Sequence, residues 1–438
     1  MASLVPRLSA EWRSYPLARL LTCLLVVFLV LFPKGGIKFG VPLTWGYMLL
    51  ALLIPPMLLI RLFVLQLRFR KATLLAAASL FPFDLLFVYS FLHNGVGQLG
   101  ETISDVTSFF ALPVAFLLIF PAFLKSVDGE LLDRLLRFCM LSAALFGIIL
   151  FVLYPITGKL IEVPYLTVNA DDYGLIETTK HINRGAFLKL ISTYNNGNLY
   201  GAATLILLPL YDRLEKKLWR RNVLKLALIL TLSRTVWFGL IAEQMLSFAY
   251  IGVKSVRTFP RVPAGTTLRR GGVLVVTAVC IVAGLLLTNG SFGFLFDSSL
   301  GGRSATLAAQ VHGITWLPSE PVGAFFEVVY ASALAGYGVL GLLSFILIFV
   351  GPILLFAANP AIAGNPLRLA ALKGLILYIL VSCVDGAINL IPVMAFYWFA
   401  YMIFLEGWPA RHPANSSNAV DEQTDHLPDI PFLPQSLS

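Results

Sequence analysis

The sequence predicts an all-α protein, a polytopic membrane helical bundle of about twelve transmembrane helices whose outer loops carry short helices of their own. Three observations predict it. Hydrophobic residues fill 58% of the 438 positions and charged residues only 13%, with a mean hydropathy of +0.83, and no soluble domain of this length could hide so much apolar surface. Apolar runs long enough for a hydrocarbon core of about 30 Å recur from near residue 17 to near residue 405. The charged residues gather in the gaps between those runs.

The first run, 17–33, follows Arg7, Arg13 and Arg19 and has the outline of a signal peptide. No small-residue cleavage site follows it and many further runs do, so it reads as a retained first helix. The other runs lie near 41–62, 73–92, 107–124, 135–156, 198–213, 222–233, 235–253, 272–289, 337–357, 369–386 and 388–406. With the N-terminus placed in the cytoplasm, only eight of the 32 basic residues fall outside: Lys34, Lys38, Lys159, Lys180, Arg184, Lys189, Arg234 and Arg303. That asymmetry predicts an N-in, C-in topology, and it accounts for the net charge of +9 without a nucleic-acid partner. Charge runs such as 213–221 and 254–270 then act as topological anchors. Cys23, Cys139, Cys280 and Cys383 all fall inside apolar runs, with no CxxC or Cys/His spacing, and read as buried thiols.

Residues 1–408 thus form one transmembrane domain. Two outer segments, 157–197 and 290–324, exceed the roughly 12–15 residues beyond which a loop is usually functional or disordered. Their composition, with His181, Arg184, Arg303, His312, Trp316 and several carboxylates, is not that of a disordered chain. The stretch 409–438, rich in Pro, Ser, Asn and Asp, is expected to be a disordered cytoplasmic tail.

Signatures of soluble enzymes are missing: there is no GxGxxG after a strand, no GxxxxGK[ST], no HExxH and no GxSxG. Asp84 and Asp385 fall inside apolar runs, where an ionisable residue is either functional or hydrogen-bonded within the bundle. Three boundary segments stand out. In the first, Arg184 precedes Tyr194-Asn195-Asn196-Gly197-Asn198, and a run begins at once. Asn195, Asn196 and Asn198 can cap that helix, either as plain caps or with amides left facing an anion. In the second, Ser233 and Arg234 sit between two apolar stretches. A guanidinium there keeps its charge, so a carboxylate of the protein or a ligand phosphate must answer it. In the third, Gly302-Arg303 leads to Glu320, Glu327 and Tyr330, with Glu327 and Tyr330 on one helical face at i, i+3. Arg presents a planar fork suited to phosphate, and three outer arginines at membrane boundaries form a pattern.

In this order, the segments resemble the O-antigen ligase and polymerase superfamily of bacterial inner membranes, with which Wzy-type polysaccharide polymerases are grouped. Arg184 with Tyr194–Gly201 is similar to an arginine followed by an Asn-rich "NPN" helix start, Ser233-Arg234 to a Ser-Arg pair between spans, and Gly302-Arg303 to a Gly-Arg element in a large outer loop. Tyr330 and Gly338-Val-Leu-Gly341 are similar to the tyrosine and glycines of a closing helix motif whose histidine position holds Glu327 here. The resemblance covers about residues 180–345, and the missing histidine weakens the ligase variant of it.

The resemblance implies transfer of a glycan from an undecaprenyl-diphosphate carrier to an acceptor sugar at the periplasmic face, without nucleotide sugar, cofactor or metal. Elementary chemistry agrees: the departing lipid diphosphate gains negative charge that preplaced arginines stabilise, and the acceptor hydroxyl needs a nearby base. The sequence therefore predicts a polysaccharide polymerase that lengthens lipid-linked repeat units of an exopolysaccharide or O-antigen-like glycan. Arg184, Arg234 and Arg303 are expected at the diphosphates and Glu327 as base. Glu320 and His312 are alternative bases, and His181, Asn195, Asn198, Ser233 and Tyr330 are expected around the substrates. Expected partners are lipid-linked glycans and membrane lipids, with room for a chain-length regulator. An O-antigen ligase and a lipid-linked glycan transporter or flippase are the competing expectations. Metal dependence would redirect attention to Glu101, Asp105, Asp171 and Asp172.

Overall fold

The structure, a computed structural model, describes residues 16–39, 41–63, 69–124, 127–179, 183–184, 187–258, 313–323, 325, 328–359, 364–385, 388 and 390–410. In chain order these form α1 (Pro16–Val26), β1 (Gly36–Phe39), β2 (Val41–Thr44), α2 (Trp45–Phe63), α3 (Lys71–Ala78), α4 (Phe81–Asn94), α5 (Leu99–Val106), α6 (Phe120–Leu124) and α7 (Gly129–Thr157). The two-residue strands β3 (Asn183–Arg184) and β4 (Phe187–Leu188) follow, then α8 (Gly197–Leu214), α9 (Leu218–Leu230), α10 (Arg234–Thr258), α11 (Val329–Ala358), α12 (Pro366–Asp385) and α13 (Ile391–Glu406). Wider π turns continue α1 through Leu31 and join α5 to α6 around Pro113. The strands make two isolated antiparallel hairpins, so the described chain is a helical bundle.

A helix overlaps every apolar run expected from the sequence except 272–289, which lies outside the described residues. The helices are not equivalent, however. Among the described residues six stretches are long and apolar enough to cross a membrane: Trp45–Phe63, Lys71–Asn94, Leu99–Leu124, Gly129–Thr157, Val329–Ala358 and Pro366–Val384. Arg19–Leu31 and Ile391–Glu406 are apolar but shorter. The difference follows from what each helix touches. In α8 every residue except Asn198, Asp212 and Arg213 is buried, so it meets protein all round and is built from Gly, Ala, Thr and Tyr as well as Leu. The peripheral helices instead leave large apolar side chains uncovered, Phe63 at 81%, Leu52 at 68% and Leu92 at 77%. Lipid tails, as apolar as leucine, would cover these at no cost.

Close backbone approach holds α8 in place. A Cβ at Gly374 of α12 would run into the backbone carbonyl of Ile206, and one at Gly201 into Val236 of α10. A Cβ at Gly239 of α10 would meet Leu205. Small residues at helix crossings maximise contact where hydrophobicity cannot drive association.

The two ends of the bundle differ. One end carries an ionic latch: Arg137 bridges Asp133 at 2.6 Å and Glu215 at 3.7 Å, Arg220 reaches Glu215 at 3.3 Å, and Lys225 meets Asp212 at 2.6 Å. Arg221 donates to the Glu215 carbonyl. At the same end the chain after α13 does not become a free tail at 409 as expected. The Trp408 indole N–H donates to the Gly129 carbonyl at 3.1 Å and the Gly129 N–H to the Ala410 carbonyl at 3.2 Å, so the stretch through Ala410 caps the start of α7. Residues 411–438 lie outside the described residues.

Two outcomes follow from this packing. Gly374→Leu is expected to destabilise the detergent-solubilised protein by about 1–3 kcal/mol or more, seen as a lower melting temperature. Gly336→Ala, where an added Cβ meets nothing within 4 Å, should leave it unchanged. Burial alone would raise the Glu215 carboxyl, but the Lys217 amide and the Arg220 and Arg137 guanidiniums outweigh it and hold it below its ordinary 4.5. Its contribution is therefore complete above pH 4.5 and lost as pH falls through the lower folded value. Glu215→Gln should cost about 1–3 kcal/mol near neutrality and flatten the acid limb of a melting-temperature profile.

Candidate functional site

The end opposite the latch brings two of the three sequence segments together. The chain 183–188 forms a short hairpin and then crosses to the α9–α10 corner, where the Leu190 N–H donates to the Leu230 carbonyl at 3.0 Å. A Cβ at Gly197 would press on the carbonyls of Leu190 and Thr231. The Asn-rich turn before α8 and the Ser-Arg turn before α10 are thus neighbours, although more than 30 residues separate them in sequence.

Four side chains pin the first turn. The Ser192 hydroxyl donates to the Ala143 carbonyl at 2.6 Å, Tyr194 to the Val30 carbonyl at 2.9 Å, and the Asn195 amide to the Thr167 carbonyl at 2.7 Å. The Asn196 side chain accepts from the Asn198 and Leu199 amides at 2.9 and 3.3 Å. Of the two readings open for this turn, helix capping is what the geometry displays: Asn196 takes the amides that an anion would have used, and Asn195 serves to tie in the 163–169 loop. That loop contacts the start of α2 in turn, through the Trp45 indole on the Tyr165 carbonyl at 2.7 Å. The remainder of 157–197 carries one-turn helices at Ala170–Asp172, Ile176–Thr179 and Ser192–Tyr194.

The second turn is short and strained. Leu232 has φ of +51°, as Ser192 and Asn195 have +52° and +56°, a conformation that costs bulky side chains and persists only where surrounding structure enforces it. Enforcement comes from the Trp237 indole on the Ile229 carbonyl at 2.9 Å and from the Thr231 hydroxyl on the Leu228 carbonyl at 2.7 Å. Ser233 is buried, and half-buried Arg234 opens α10. Among the described residues Arg234 makes no ion pair and no hydrogen bond. Its charge and the unpaired amides of a helix N-terminus favour the same kind of ligand, an anion.

The other expected residues divide. Tyr330 accepts a hydrogen bond from Ser382 of α12 at 3.0 Å and packs edge-on against Phe345. The C-terminal end of α12 also touches α10, since a Cβ at Gly239 would meet Val381. Glu320 is exposed and fastened elsewhere: its carbonyl accepts from Ser90 at 2.7 Å and Asn94 at 3.3 Å, both on α4. The backbone of Arg184 lies in β3. His181, Arg303, His312 and Glu327 lie outside the described residues, as do residues 301–312 as a whole. Among the described residues no three acidic, histidine or cysteine side chains gather into a cation site; Asp171 and Asp172 stand in the loop before β3, and Glu101 and Asp105 on α5.

Two features escape a reading of the sequence. The first is a break in α11 at Gly338, whose φ of +71° and ψ of −173° interrupt the helix. The strap 313–323 fills the break: Val339 and Leu340 amides donate to the Thr315 and Trp316 carbonyls at 2.9 and 3.2 Å. A Cβ at Gly338 would collide with the same strap. The second is Asp105, which is fully buried with no hydrogen-bond partner for either carboxylate oxygen among the described residues. It stands near Tyr337, whose ring stacks on Phe325 and Phe87. An acid just before the apolar run 107–124 was the available signal, and it pointed only toward metal binding.

Asn196→Ala should lower the melting temperature by an amount equivalent to about 1 kcal/mol, while Asn196→Asp, which keeps the acceptor, should not. A scan of the sequence against protein-family models finds no match, and a search among curated proteins finds none.

Proposed function

We propose that this chain is an integral-membrane glycosyltransferase that polymerises undecaprenyl-diphosphate-linked repeat units into an exopolysaccharide or O-antigen-like polysaccharide. In this reading about twelve spans lie in a bacterial inner membrane with both termini in the cytoplasm, and the end bearing Arg234 faces the periplasm. The supporting observation is the pairing of the Asn-rich and Ser-Arg turns at one end of the bundle, with a half-buried guanidinium that no described carboxylate neutralises. A buried cation without an internal counter-charge is costly unless a ligand provides one, and a diphosphate suits the arginine fork.

The reaction breaks the bond between the anomeric carbon of the donor glycan and its diphosphate and forms a bond from that carbon to the acceptor hydroxyl oxygen. The hydroxyl proton passes to a base, Glu327 in this assignment, and the lipid diphosphate leaves as an anion. Arg234, with Arg184 and Arg303, would stabilise that developing charge. Ser233, Asn195, Asn198, Tyr330 and His181 would shape the surrounding groove, with Glu320 and His312 as the other bases. The ligase variant uses the same bond changes and differs only in the acceptor.

A transporter of lipid-linked glycan is the second reading, favoured by the break in α11 at Gly338 and by the enclosed Asp105. Broken helices and intramembrane acids are common in such proteins.

Incubating the purified protein with lipid-linked repeat units, with and without chelator, and sizing the products separates these readings. Growth of carrier-linked chains supports the polymerase, one-step transfer to a different acceptor the ligase, and translocation at constant glycan length the transporter. Arg234→Lys keeps the charge but loses the fork, so chain growth should fall at least about tenfold. Polymer of normal length and yield from that variant would sink the diphosphate assignment.

A further inference from the structure

An apolar cavity lies at the other end of the bundle. Between α1, α2, the α5–α6 stretch, α7 and α13 runs a cavity of about 200 Å³ with apolar walls that include Leu25, Leu53, Phe116, Leu132 and Phe399. Among the described residues its only charged lining side chains are Arg19 and Asp128. Both belong to the end that carries the Arg137–Glu215 latch, because Asp128 caps α7 and Arg137 lies two turns further along the same helix.

The two charges at the mouth are unequally committed. The Asp128 carboxylate accepts from the amides of Glu130 at 3.0 Å and Leu131 at 3.4 Å as the cap of α7. The Arg19 guanidinium reaches it only at 3.5 Å and keeps 55% of its side chain exposed. The mouth therefore presents a cation able to take a further anionic partner, directly beside a hydrocarbon-lined void. A void of this kind forfeits dispersion contacts along its whole lining, and an apolar cavity recruits apolar ligands rather than water.

We infer that the cavity binds one acyl chain of a membrane phospholipid, with the lipid phosphate on Arg19 and the second chain in the surrounding bilayer. Charge complementarity selects this occupant, since a phospholipid carries phosphate and acyl chain side by side at a membrane boundary. The proposal needs the chain to be embedded in a membrane and does not depend on the glycosyltransferase reading. A carrier bound at Arg234 would have its diphosphate at the opposite boundary.

The test is native mass spectrometry of the full-length protein, delipidated in mild detergent and titrated with phosphatidylglycerol, with diacylglycerol and polyprenyl phosphate as competitors. Wild type should retain one phosphatidylglycerol that diacylglycerol displaces poorly. Arg19→Gln, on the surface, should weaken retention about fivefold, the fold-change matching one basic side chain at a lipid surface. Leu25→Trp, which fills the cavity, should abolish retention while the melting temperature holds or rises. Equal retention in wild type and both variants would overturn the site, and so would equal binding of diacylglycerol or preferential retention of polyprenyl phosphate. Because the readout counts lipid and not polymer, failure here leaves the glycosyltransferase reading standing, and failure of that reading leaves the lipid site standing.

Discussion

The structure depends on how closely the backbone of α8 can be approached. In a bilayer the solvent is as apolar as the side chains, so helices associate through fit and not through escape from water. Glycines at 201, 239 and 374 let α10 and α12 come against α8 at van der Waals distance. That contact fixes the start of α8 and the start of α10, and with them the two turns of the candidate site. Without it, the Asn-rich and Ser-Arg segments would be two unrelated helix ends.

The rest of the site end is an exercise in satisfying backbone groups where water is scarce. Leu190 closes onto Leu230, Asn195 onto Thr167, and Asn196 onto the first amides of α8. Where α11 breaks at Gly338, the amides released from the helix go to carbonyls of the strap at Thr315 and Trp316. Strain at Ser192, Asn195 and Leu232 is tolerated because each lies within such a network.

Charge is distributed unequally between the ends. At the latch, Asp133, Asp212 and Glu215 pair with Arg137, Arg220 and Lys225, so basic residues between the helices close the fold. At the site end Arg234 has no described acid beside it, while the enclosed acid Asp105 has no described partner at all. This separation leaves the Arg234 guanidinium and the Asp105 carboxyl without a counter-charge among the described residues.

Composition and apolar periodicity determined that this is a helical membrane protein and where most helices run, because a membrane imposes length and hydropathy on any segment that faces it. The Asn196 cap and the place of Arg234 at a helix start were likewise legible, since both are local. What only the tertiary structure decided was which helix is enclosed, for α8 is less apolar than α12 and α13, which pack against it, and yet is the one buried nearly all round. It also decided that Asn195 binds a loop 28 residues upstream, that Glu320 is fastened to α4, that the stretch through Ala410 caps α7, and that Asp105 is shut away from solvent. Those outcomes turn on which distant backbones meet, and pairing between elements far apart in sequence leaves no periodic trace along the chain.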